Sequence, residues 1–168
     1  MEVILSLGSN LGDRRAYLLA ARDALSALPA TRLVASAPIY ETEPVDAPPG
    51  YAPHLYLNTV LVMESALEPE AFAGEMHAIE ARLGRVRGPE RNAPRTIDID
   101  MVAFGQLRRD TPSLRLPHPE AACRRFVLQP LADVRPGLRL PGQTLTVREL
   151  LATLPPAPSV TPAAEQWE

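Results

Sequence analysis

Apolar and polar positions along the chain follow two alternating periodicities. The opening "MEVILSL" is a short β-prone run that turns through "GSNLGD" into a segment where Leu18, Ala21, Leu25 and Leu28 recur at spacings of three and four. That spacing predicts one buried helical stripe, with Asp13 or Asn10 as N-cap and Pro29 as its stop. "TRLVASAPIYETEP" reads as a second strand ending at prolines and "YLNTVLVMES" as a third, with residues 44–53, rich in Pro, Gly and Ala, forming a long loop between them. "LEPEAFAGEMHAIEARLG" predicts a second amphipathic helix. Pro69 suits its first turn, Phe72, Met76, Ile79 and Leu83 face the core, and Gly84 ends it. After the loop "RVRGPERNAPR" comes the strand "TIDIDMVAF".

The order strand, helix, strand, strand, helix, strand predicts an α+β protein on the ferredoxin-like split βαββαβ plan, an antiparallel sheet with both helices on one face. Beyond Gly105 the chain is punctuated by proline, and "LPHPEAACRRFVLQPLADV" predicts a helical turn or two. "TVRELLATL" predicts a last short helix, with Thr146 and Glu149 at capping-box spacing. The tail from about residue 155, "PPAPSVTPAAEQWE", has no periodicity and is expected to be loose. No linker separates a second unit, so residues 1–168 are expected to form a single domain with a C-terminal extension.

A chain of 168 residues can bury a real core, and 46% hydrophobic with 22% charged residues is the composition of a folded globular protein. The net charge of −3 gives no global attraction to nucleic acid or a membrane surface, so an anion site must come from local clustering. No apolar segment approaches the ~20 residues of a membrane span. The one cysteine, Cys123, cannot close an internal disulfide, and no N-terminal stretch reads as a secretion signal. A cytoplasmic protein is the expectation, with its oligomeric state open and a monomer compatible. All seventeen basic residues are arginine. Any phosphate must therefore be held by planar, permanently charged guanidinium forks.

"RNAPRTIDIDMVAFG" concentrates the candidate chemistry. Residues two apart in a strand share a side, so Asp98 and Asp100 project together while Ile97, Ile99 and Met101 face the opposite layer. With Cα atoms ~6.6 Å apart the two carboxylates can converge on one cation or bridge two, and magnesium accepts such a pair with water and phosphate completing its shell. A solvated sheet face is the plain reading of an isolated D-x-D; here Arg85, Arg87, Arg91 and Arg95 precede it within a dozen or so residues. Metal plus arginine is the equipment of phosphoryl transfer. "LGSNLGD" lacks the lysine of a phosphate-binding P-loop and reads as a tight strand-to-helix turn. His77 and Glu80 share a helical face, as ligand contacts or as a surface pair. His118, between two prolines, is ambiguous alone.

Together these segments resemble the 6-hydroxymethyl-7,8-dihydropterin pyrophosphokinase family. "RNAPRTIDIDMV" satisfies that family's signature, and "LSLGSNLGDR", "YETEP", "YLNTV", "IEARLGRVRG" and "LPHPEAACRRFVLQPL" follow in family order across residues 3 to 140. The resemblance implies attack of the pterin hydroxymethyl oxygen on the β-phosphorus of ATP, with AMP released. It implies two magnesium ions on Asp98 and Asp100, and Arg85 and Arg95 as catalytic, phosphate-binding arginines. Glu80, Arg87, His118 and Arg124 join them around the nucleotide. The pterin ring is expected between Tyr56 and Phe126, its edge read by Asn58, with Thr42 and Val45 lining the pocket. Some members have tryptophan where this chain has Asn92, a basic residue in place of Gly88 and glutamine in place of His77, and some have a shorter proline loop. The residues alone also permit another magnesium-dependent phosphoryl or nucleotidyl transferase, recognisable by its leaving group, or a non-catalytic ferredoxin-like sensor, which has no need of a two-metal pair.

Overall fold

The computed structural model describes residues 1–43, 55–85 and 95–168. The chain runs β1 (Glu2–Ser9), α1 (Arg14–Ser26), β2 (Thr31–Ser36), β3 (Tyr40–Thr42), β4 (Tyr56–Ser65), α2 (Pro69–Arg82) and β5 (Asp98–Phe104). A short hairpin β6 (Arg109–Asp110) and β7 (Arg115–Leu116) follows, then α3 (Arg125–Val134), α4 (Val147–Thr153) and β8 (Val160–Pro162). The main sheet has the order β5-β1-β4-β3-β8, with β2 also on β4, and every pairing is antiparallel. The strands and helices thus alternate as the periodicity predicts. The expected second strand, however, is two: Pro38 cannot donate to the ladder, and β2 and β3 sit on successive stretches of β4 either side of it.

Alternation along β1 sorts the core into two layers. Val3, Leu5 and Leu7 pack with Leu61, Met63, Ile99 and Met101 beneath Leu18 and Leu25 of α1 and Phe72, Met76 and Ile79 of α2. Ile4, Val60, Val62 and Val102 face the other way, against Val127, Leu128 and Leu131 of α3 and Val147 and Leu150 of α4. The two helices between the strands therefore lie on one face, as expected, and the C-terminal extension covers the other with α3 and α4. Residues 116–134 also form more than a turn or two, because Pro130 is accommodated inside a ten-residue helix whose apolar side is buried. Asp13 caps α1 through the Ala16 N–H at 3.1 Å, and Thr146 and Glu149 form the expected capping box on α4. No helix among the described residues is long and apolar enough to cross a membrane.

The tail corrects the sequence reading most sharply. Residues 155 onward are not loose: Val160–Pro162 pairs with β3, and the Gln166 side-chain amide brackets Ile39, accepting its N–H at 2.7 Å and donating to its C=O at 2.8 Å. Trp167 Nε1 donates to Ala37 O at 2.7 Å, while the Arg22 guanidinium lies 4.2 Å above the Trp167 ring. Ile39 is fully buried beside the Pro38 break, where its backbone groups need partners that the interrupted ladder does not give. The side chain of Gln166, with the Ala163 N–H that also donates to Ile39 O at 2.9 Å, takes the place of a strand. Composition hides such a contact, since one amide in a Pro- and Ala-rich stretch has no periodicity. Replacing Gln166 by alanine strands a buried N–H, and is expected to lower stability by about 1–3 kcal/mol, read as a lower urea midpoint at unchanged slope.

Candidate active site

The site is built where β1 is least bulky. Gly8 lies directly opposite Asn58 of β4 on one side and Asp98 of β5 on the other, so the three share the face that α3 covers. Asp100 stands opposite Ser6 in the next row. A Cβ on Gly8 would come 2.6 Å from Asn58 Oδ1 and 3.3 Å from the Tyr56 ring. Only glycine leaves room there for both side chains, and the sequence reading passed it over as part of a turn.

Two arginines converge on Asp98, and one of them also meets Glu80. Arg85 Nη1 donates to Asp98 Oδ1, to Glu80 Oε2 at 3.1 Å and to Ile97 O at 3.3 Å; Arg95 Nη1 donates to Asp98 Oδ2 at 3.2 Å. Glu80 is only 2% exposed, and its carboxylate also accepts the Ile99 N–H at 2.8 Å. That burial corrects the reading of Glu80 as half of a surface pair. It stands behind Arg85 as a buried anchor, while the His77 side chain it touches is 57% exposed. Burial pulls Arg85 down, but Asp98 outweighs it and the guanidinium is held above its ordinary pKa. Asn10, considered above as an N-cap, instead ties the turn after β1 to Arg95: its Oδ1 accepts the Arg95 N–H at 2.8 Å and its own N–H donates to Arg95 O at 3.2 Å.

Burial, and then the charge of Asp98, push the Asp100 carboxyl up to about 7. Among the described residues nothing donates a hydrogen bond to it. Two carboxylates on one sheet face, one of them short of positive charge, are a donor set that magnesium fits, with phosphate and water as the other ligands. No cluster of three or more metal-ligating side chains occurs among the described residues, so a cation here would depend on a substrate for the rest of its shell. The buried side-chain polar atoms without a hydrogen-bond partner among the described residues are Ser9 Oγ, Arg85 Nε and Thr96 Oγ1. All three belong to this end of the sheet.

His118 is fastened beside β5 by its N–H to Val102 O at 2.9 Å. Its Nδ1 accepts the Glu120 N–H at 3.2 Å, which assigns the proton of the neutral ring to Nε2. Burial, then Arg124, lower its pKa, so the ring is a neutral donor at pH 7. Arg124 pairs with Glu120 and lies 5.4 Å above the Phe126 ring. Tyr56 and Phe126 both stand on this side of the sheet, from β4 and from the first turn of α3. The Tyr56 hydroxyl is raised by burial, against Arg95 and together with Asp98. Asn58 Nδ2 donates to Thr42 Oγ1 at 2.5 Å, both side chains buried. Arg85, Arg95, Asp98, Asp100, His118 and Arg124 are thus gathered near Tyr56, Asn58, Thr42 and Phe126. Val45 and Arg87, and with them Gly88, Arg91 and Asn92, lie outside the described residues.

Residues 4–136 match the model of a family described as 7,8-dihydro-6-hydroxymethylpterin-pyrophosphokinase. The chain is 44% identical over 155 residues to the 2-amino-4-hydroxy-6-hydroxymethyldihydropteridine pyrophosphokinase of Pseudomonas aeruginosa, spanning 92% of each. With the protein of that name from Methylorubrum extorquens it is 40% identical over 154 residues, 91% of this chain and 93% of the relative. The folic acid synthesis protein fol1 of Pneumocystis carinii is 35% identical over 148 residues, which are 86% of this chain but 19% of that one. Among solved structures, HPPK-DHPS in complex with substrates superposes with a TM-score of 0.67 at 14% identity over 90% of this chain and 43% of that chain. The Plasmodium falciparum HPPK-DHPS with pteroate gives 0.68 at 15%, over 90% and 42%. The chain spans under half the length of those solved chains, and the likeness to them is one of fold.

Without metal, the raised carboxyl of Asp100 works against the fold. Its pKa of about 7 lies above the ordinary 3.8, so the folded state binds the proton more tightly than the unfolded state. The stability it confers is complete below about pH 4 and is lost as pH rises through 7. In a chelator at pH 8, Asp100→Asn is expected to be more stable than the parent by on the order of 4 kcal/mol. The difference should close toward pH 4.5, as two thermal-melt series would show.

Proposed function

The chain belongs to the 7,8-dihydro-6-hydroxymethylpterin-pyrophosphokinase family, and we propose that the residues on the α3 side of its sheet carry out that family's reaction. The activity is transfer of pyrophosphate from ATP to the hydroxymethyl group of 6-hydroxymethyl-7,8-dihydropterin, in folate biosynthesis. The hydroxymethyl oxygen bonds to the β-phosphorus while the bridge between the α- and β-phosphates breaks, its electron pair leaving with AMP. The hydroxymethyl proton is lost to solvent.

The observation that carries the assignment of parts is the row Asn58, Gly8, Asp98. Two strand spacings, about 10 Å, separate its outer members, enough for a flat heterocycle to lie against Asn58 while its exocyclic oxygen faces a phosphate near Asp98. In this reading Tyr56 and Phe126 grip the ring faces, and Asn58, oriented by Thr42, reads the polar edge. Val45 completes the pocket wall. Asp98 and Asp100 would hold two magnesium ions, whose charge would offset that of the triphosphate. Arg85 and Arg95, which rest on Asp98 in the ligand-free protein, turn part of their donor set to the phosphates; the open Nε of Arg85 is one such donor. Arg87 and Arg124 add positive charge along the nucleotide, and His118 donates from Nε2. Glu80 keeps Arg85 in place from behind rather than touching ATP.

The test is product analysis with ATP, magnesium and the pterin. AMP must form, and the Asp98→Ala, Asp100→Ala double variant must lose it; ADP or free pyrophosphate as product would reassign the chain's chemistry, and binding without turnover would make it a sensor. Arg95→Ala should lower kcat by about a hundredfold or more with a smaller effect on either KM. Gly8→Ala tests the pterin side. Its Cβ displaces the Asn58 amide, so the pterin KM should rise about tenfold while the ATP KM changes little, and unchanged pterin kinetics would remove Asn58 from the site.

A further inference from the structure

Three residues, Tyr40 to Thr42, make up β3, and Pro38 cuts it off from β2. A strand this short has little hold on its own position. Yet β3 carries Thr42, whose hydroxyl receives the Asn58 amide at 2.5 Å. From the inner side β3 is held by β4, and the Tyr40 hydroxyl donates to Asp133 of α3. The outer side is held by the tail: Val160 stands directly opposite Thr42 and Thr161 opposite Glu41, Glu43 N–H donates to Ser159 O at 3.4 Å, and Ser159 Oγ donates to Glu43 Oε1 at 3.1 Å.

Gln166 is the side chain that ties the tail to Ile39, beside the backbone bond from Ala163 N–H to Ile39 O at 2.9 Å. Its amide closes on both backbone groups of Ile39, the residue that leads into β3, and Nε2 also donates to Ala163 O at 3.0 Å. Arg15 of α1 donates to the backbone carbonyls of Gln166, at 2.5 Å, and Trp167, at 2.9 Å. The chain of contacts therefore runs from α1 through Gln166 to Ile39, along β3 to Thr42, and across to Asn58.

We propose that Gln166 is a positioning residue for pterin recognition, setting the angle of the Asn58 amide through Ile39 and Thr42, with the segment from Ser159 to Trp167 as its support. The inference rests on the reading of Asn58 as the group that meets the pterin edge. It gives the tail a role in the affinity for one substrate and not the other, because among the described residues none of its contacts reaches Asp98, Asp100, Arg85 or Arg95.

The experiment is steady-state kinetics of the full chain with each substrate varied in turn, at a temperature where every variant is folded. Gln166→Ala should raise the KM for the pterin about tenfold and leave the KM for ATP within about twofold. Trp167→Phe, which keeps a ring under Arg22 and loses the donor to Ala37, is the milder variant and should shift the pterin KM the same way by about threefold. Leu150→Ala, a core truncation in α4, controls for lost stability and should leave the ratio of the two KM values unchanged. If Asn58→Ala raises the pterin KM while Gln166→Ala and Trp167→Phe do not, the inference is overturned and the site reading stands. If Leu150→Ala shifts the ratio as much as Gln166→Ala, the tail is merely structural and the inference is again overturned. If Asn58→Ala leaves the pterin KM unchanged, it is the reading of Asn58 that fails.

Discussion

Strand β1 pairs with β4 from Glu2 to Ser9 and with β5 from Val3 to Gly8, and a slip of one residue in either ladder would carry Asn58 or Asp98 to the opposite face. The apolar alternation prevents it. Val3, Leu5 and Leu7 are buried against α1 and α2, and a slipped register would place polar groups in that layer without partners. The same residues that make the core therefore fix which functional groups meet above Gly8. The irregularity in the β1–β5 ladder falls between Ile4 and Leu5, so the row that carries Asp98 keeps its pairing with Gly8.

The charges around Asp98 are paired within the protein, whereas Asp100 has no such partner among the described residues. A buried carboxylate alone is costly, and Glu80 is compensated by Arg85 and the Ile99 N–H. Asp98 has Arg85 and Arg95. In the reading proposed above, magnesium would take over the aspartates as the phosphates take over the arginines, so that each desolvated charge would exchange one opposite partner for another. Glu80 holds Arg85 and the Ile99 N–H from behind, so in that reading Arg85 would turn part of its donor set without losing its place.

Much of this could be read in the chain. Period-2 and period-3.6 patterns gave the order of elements, and the interruption of a strand by Asp98 and Asp100 marked the site, because carboxylates in an otherwise apolar strand need a reason. What escaped was whatever depends on one contact at long range. Gly8 looked like a turn residue, since the two side chains that need its missing Cβ come from fifty positions away. Glu80 looked exposed because helical spacing gives the face a residue lies on and not how deep that face is buried. The tail looked loose because Gln166 and Trp167 act through one amide and one indole N–H, which leave no pattern in their neighbours.

The two faces of the sheet divide the work unequally. On the α1 and α2 side the layer is aliphatic and aromatic and contributes packing. On the other side apolar packing runs out toward Asp100, Gly8 and Asn58, and the covering layer brings Arg124 and Phe126 on the start of α3 and His118 on the segment before it. A split βαββαβ unit alone would supply the aspartates and the Arg85 and Arg95 pair but would leave Asn58 and Tyr56 without a facing wall. It would also leave β3 with a free outer edge, which an exposed strand does not keep in a fixed geometry. The C-terminal extension answers both needs, with α3 as the facing wall and β8 along that edge. In the proposed reading, the chain after β5 is thus as much part of the site as the strand that carries Asp98 and Asp100.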